Sequence, residues 1–145
     1  MRLIAVLAAL ILGGEASAQV ALPCDGRANA QFLYEPWEAN SRTFGNGAIR
    51  VAELDTFGEP AGQSAHLLVI APGPELGPIC AVVSLFANGT GWGDVDIAGI
   101  VGHYDAARGL LLVVPVTRPN PNSGRAERGS FGVRINQAVH TITVE

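Results

Sequence analysis

Two nearly continuous apolar runs, Ala65 to Ala71 (AHLLVIA) and Ile79 to Phe86 (ICAVVSLF), are joined by Pro72-Gly73-Pro74-Glu75-Leu76-Gly77-Pro78. Runs of seven and eight residues are strand-length, and three prolines in the connector forbid a helix that continues through it. The same punctuation recurs along the chain, which holds 18 Gly and 9 Pro in 145 residues. Helical periodicity is scarce, and short apolar segments close repeatedly on Gly, Pro, Asn or Asp. The sequence therefore predicts an all-β, mainly antiparallel fold of about seven or eight short strands. Strand spacing alone leaves a β-sandwich and a small barrel equally open.

Residues 1–18 read as a cleaved signal peptide. Met1-Arg2 is a minimal positive start, Leu3 to Leu12 is an unbroken apolar run, and Ala16-Ser17-Ala18 supplies the small residues of a cleavage site. Gly13-Gly14-Glu15 ends the run well short of the roughly 20 residues a membrane span needs. The remainder, 19–145, is expected to form one β-rich domain, secreted or periplasmic, with no membrane span after cleavage. Export gives Cys24 and Cys80 a meaning: in an oxidising compartment they form a structural disulfide.

The net charge of −4 argues against a nucleic-acid partner, and all nine basic residues are Arg. Without Lys there is no Schiff-base or P-loop lysine chemistry. Two Cys cannot build a four-thiolate zinc site or an iron–sulfur cluster, and no cofactor is expected.

Individual segments carry further expectations. Gln31 to Trp37 reads as a first short strand, and Ser41 to Gly47 as a turn. Ala48 to Thr56 alternates, with Ile49, Val51, Glu53 and Asp55 on one face. Gly89 to Gly93 (GTGWG) reads as a mobile loop. Asp94 to Tyr104 reads as one strand in preference to a short helix, because Gly99 and Gly102 disfavour helix. Asp105 to Gly109 is a tight reversal, with Gly109 suited to a left-handed backbone. Thr117 to Gly129 reads as a long flexible loop, and Ser130 to Glu145 as a last hairpin.

Three constellations bear on chemistry. Asp94, Asp96 and His103 are the candidate site residues: Asp94 and Asp96 could offer two carboxylates on one strand face to a hard cation, or serve a metal-dependent hydrolase with His103. Position 98 is Ala and no Glu follows before Glu127, so this is no EF-hand loop. Gly62-Gln63-Ser64-Ala65-His66 misses the nucleophile elbow, since His66 stands where the second Gly belongs. His66, His103 and His140 are spaced by 37 residues each, which matches no compact metal motif. The aromatics Phe32, Tyr34 and Trp37 are expected to plug one end of the core. Were they exposed, they would suit a protein or sugar surface. The resulting functional expectation is a non-catalytic binding or structural module that contacts a cell-envelope protein or glycan. A small-molecule carrier with an apolar cavity inside a barrel is the alternative.

Overall fold

A computed structural model describes residues 19–58 and 61–145. The proposed signal peptide, 1–18, lies outside the described residues. Two five-stranded antiparallel sheets pack face to face as a β-sandwich. In chain order the strands are β1 (Val20–Pro23), β2 (Ser41–Phe44), β3 (Ile49–Asp55), β4 (Ala65–Pro72), β5 (Pro78–Ser84), β6 (Asp94–Val95), β7 (Val101–Asp105), β8 (Gly109–Pro119), β9 (Ala126–Asn136) and β10 (Thr141–Val144). The first sheet runs β1-β5-β4-β3-β2. The second runs β10-β9-β8, with β6 and β7 sharing the far edge of β8.

The two-residue alternation of each strand sorts its side chains between the sheet faces. Ile49 and Val51 of β3, Leu67 and Val69 of β4, and Val83 of β5 point inward. They meet Leu112, Val114, Phe131, Val133 and Ile135 of the second sheet in one core. Trp92 is 1% exposed in that core and stacks on Phe131, ring centroids 4.5 Å apart and planes 2° from parallel. The central strands read as unbroken apolar runs because the first sheet is covered on both faces. Ala52, Leu54, Leu68 and Val82 point outward into a second, smaller core beneath Cys24, Ala28, Phe32 and Leu33.

That cover is an arm made of two short 3-10 turns, Gly26–Ala28 and Ala30–Phe32, opened by Asp25 and Asn29 side chains that accept the Arg27 and Gln31 backbone N–H. The Cys24–Cys80 disulfide fastens its start to β5, with the two Cα atoms 5.4 Å apart. Closing a loop with a sequence separation of 56 is worth roughly 4 kcal/mol in the chain-entropy account.

Several local expectations are corrected. Among the described residues the strands number ten. Residues 31–37 form no strand: Phe32 and Leu33 pack on the sheet from outside, and pairing is limited to an isolated Leu33–Leu54 bridge. Val20–Pro23 is a strand, paired with Ala81 to Ser84. Ser41–Phe44 is strand β2, and the turn follows it at Gly45, Asn46 and Gly47, all with positive φ. The single strand over 94–104 is two strands, broken where Asp96 Oδ1 accepts the Gly99 N–H. The 117–129 loop shrinks to 120–125, since β8 and β9 stay paired as far as Pro119 and Ala126. Gly109 closes the 105–109 reversal at φ +88, as its type requires.

Gly89 to Gly93 also departs from expectation. Trp92 exchanges both backbone hydrogen bonds with Ala65, and the Gly91 and Gly93 N–H groups reach the Gln63 and Thr117 carbonyls. A Cβ on Gly91 would overlap the Ala65 carbonyl oxygen and press on His66. The glycine here permits close approach of two backbones, and the segment is a fixed crossing between the sheets.

Candidate binding surface

Glu53 occupies the inward register after Ile49 and Val51, so β3 places a carboxyl group at the end of the main core. It is 3% exposed. One carboxyl oxygen accepts the Val95 N–H at 3.3 Å. Burial pushes the Glu53 carboxyl up to about 7. The Val95 hydrogen bond opposes that rise, and the Asp94, Asp55 and Asp96 charges add to it.

The backbone of the same residue holds the chain before β2. Glu53 C=O accepts the Tyr34 N–H at 3.0 Å, and Glu53 N–H donates to Asn40 C=O at 2.9 Å. Residues 34–40 thus leave and rejoin one point on β3, forming a lobe. Within it the Ala39 and Asn40 N–H groups and the Asn40 side chain donate to Pro36 C=O, and Ser41 Oγ donates to Trp37 C=O. Tyr34 is 41% and Trp37 51% exposed. The expectation that Phe32, Tyr34 and Trp37 plug the core holds only for Phe32, which packs on the outer face of the first sheet. Glu35, Pro36, Trp37 and Glu38 line a shallow depression on the lobe.

On the outer face, His66 and Ser84 form a second polar group. Ser84 Oγ accepts from Arg27 Nη1 at 2.9 Å and lies 2.9 Å from His66 Nδ1, while Arg27 is paired with Asp25 at 2.8 Å. The Ser84 hydroxyl, with one proton and two lone pairs, bridges the guanidinium and the imidazole Nδ1. Burial, and then the Arg27 charge, pull His66 down to about 4. Ser84 and His66 are 0% and 1% exposed, so the pair is shut off from any substrate. It anchors the arm.

The structure brings Asp94 and Asp96 to one depression, beside Thr117 and Arg128, and leaves His103 apart from Asp94. Asp94 lies opposite Thr117 of β8 and His103 opposite Leu111. Six residues of strand, roughly 20 Å at about 3.3 Å each, separate them. Asp96 caps the turn before β7, and Asp105 caps the next by accepting the Ala107 and Arg108 N–H groups. His140 Nδ1 lies 3.1 Å from Pro72 C=O, and His103 is exposed, so the three His stand apart. Ser64 of the elbow-like segment donates to Asp55. Among the described residues no three His, Cys, Asp or Glu are grouped to hold a metal, and no helix is long and apolar enough to cross a membrane.

The run Gln31 to Trp37 reads as a strand in the sequence; the signal against a central strand is Pro36 within it. The Arg27–Ser84–His66 group left no trace, its members being 57 and 18 residues apart. No known protein family, curated protein or solved structure matches the chain.

Proposed function

We propose that this is an exported, secreted or periplasmic, non-catalytic binding domain, and that the 34–40 lobe contacts a neutral cell-envelope glycan. One observation carries the reading. Two large aromatic side chains stand exposed on a segment whose backbone is tied at both ends to a buried strand residue. Apolar side chains at that exposure are commonplace when the backbone is loose. On a tied segment they form a preorganised surface, which spares a ligand the cost of ordering it. A flat ring offers a stacking face to a sugar, and the flanking Glu35 and Glu38 carboxylates can accept its hydroxyl hydrogen bonds. The disulfide supports an oxidising destination.

The test uses the two tryptophans, one exposed and one in the core. Cellohexaose, chitohexaose and maltohexaose are titrated while acrylamide quenching of tryptophan fluorescence is followed, with calorimetry in parallel. Saturable protection of Trp37 is expected with at least one of them. Trp37→Ala should weaken binding at least tenfold at unchanged melting temperature. Failure of all three sugars to bind, or full affinity in Trp37→Ala, would overturn the assignment.

A further inference from the structure

The carrier reading expects an apolar cavity inside a barrel; in the sandwich the space between the sheets is filled by Trp92, Phe131 and their neighbours. The outer face of the first sheet holds a cleft of a different kind. Its floor is Ala52, Leu68 and Ile70, its wall is Leu33 of the arm, and Thr43 of β2 stands at its rim, around a volume of about 400 Å³. The arm covers the neighbouring part of this face but stops at Leu33, which is bridged to Leu54. The wall is therefore fixed, and the cleft is formed before any ligand arrives.

Its charge is unbalanced. Arg50 lines the cleft, directly opposite Thr43 on one side and Ile70 on the other. The four ion pairs among the described residues use Arg27, Arg108, Arg118 and Arg134. Arg42, the other cation at the cleft, donates to the Ala98 and Ile100 carbonyls and lies over the Phe44 ring. Glu75 faces the far side of Arg50 across an adjoining depression and makes no ion pair with it. An uncompensated guanidinium beside an apolar floor, on a chain of net charge −4, matches a ligand with one anionic end and one aliphatic end.

We infer that this cleft binds a medium-chain aliphatic carboxylate, its chain on Ala52, Leu68 and Ile70 and its carboxylate on Arg50. The volume sits at the small end of ligand sites, about 300–1,000 Å³, which suits a chain of about ten carbons. The site is separate from the proposed sugar-binding lobe, and either can fail without the other.

The probe is decanoate, titrated below its micellar concentration by calorimetry, with octanoate and 1-decanol alongside. Saturable 1:1 binding of decanoate is expected. Octanoate should bind about tenfold more weakly, since each buried methylene contributes about a factor of four when fully covered. Arg50→Gln should weaken decanoate about tenfold and leave 1-decanol unchanged. Thr43→Asp, which sets a carboxylate against the guanidinium without removing it, should reproduce that loss. Any of three results overturns the inference: no saturation by about 1 mM decanoate, equal affinity in the wild type and both variants, or an Arg50-dependent dimer in sedimentation that decanoate does not compete.

Discussion

Glu53→Gln isolates the cost of keeping a charge at the end of the core. The side chain is 3% exposed, and its carboxyl titrates at about 7 in the folded chain against 4.5 for the free group. A carboxyl raised in this way favours the folded state fully below about 4.5, and that contribution is lost as the pH climbs through 7. At 1.36 kcal/mol per pH unit the difference amounts to about 3 kcal/mol at pH 8. Glutamine keeps an oxygen for the Val95 N–H and cannot ionise. The variant should therefore match the wild type at pH 4 and exceed it by about 3 kcal/mol at pH 8, roughly 10 °C in melting temperature for a domain of this size. Urea unfolding of both proteins at pH 4 and pH 8, without reductant, reads this directly. His66 titrates identically in both proteins, so it cancels from the difference. A variant whose deficit or gain is the same at both pH values would refute the assignment of the cost to charge burial.

Other perturbations address the crossing and the arm. Gly91→Ala places a methyl against the Ala65 carbonyl and the His66 ring, where the facing atom is backbone and cannot swing away. A loss of about 2 kcal/mol or more is expected in urea unfolding, whereas a loop free to move would lose almost nothing. Ser84→Ala strands the Arg27 donor and the His66 ring nitrogen, at about 1–3 kcal/mol. Hydrogen exchange should show faster opening of 25–33 in that variant, while the β8–β9 hairpin keeps its protection.

What the sequence disclosed follows from what each residue depends on. Leu67, Val69 and Val83 lie in strands whose composition suffices to place them, and alternation groups Ile49, Val51 and Glu53 on one face, which the structure turns inward. Val20–Pro23 carries no strand signal of its own, because a four-residue edge strand exists only by pairing with the distant β5. Thr117 to Gly129 looked like a loop because the end of the β8–β9 hairpin is solvated, which erases the apolar alternation that marks a strand. Gly91 misled for a sharper reason. Glycine signals either freedom or close approach, and only the Ala65 carbonyl, 26 residues earlier, tells which. Alternation puts Glu53 on the face of Ile49 and Val51. That its backbone would hold the 34–40 lobe was not visible, since both partners are set by the path of the chain.

The cost of the two most perturbed groups bears on what the fold is shaped to present. Glu53 favours acid and His66 favours base: a histidine lowered from 6.5 to about 4 stabilises the folded chain above about 6.5 and loses that contribution toward 4. The two slopes oppose each other over the same range, so their sum is nearly flat with pH. Cancellation hides the expense of burying two ionisable groups. They act in different places. The Glu53 carboxyl holds the Val95 N–H at the start of the second sheet, while the backbone of Glu53 ties the 34–40 lobe that carries Trp37. The buried His66–Ser84 pair holds Arg27 and with it the arm that ends in the Leu33 wall of the cleft. This distribution supports placing recognition on the outer side of the first sheet rather than on Asp94, Asp96 and His103.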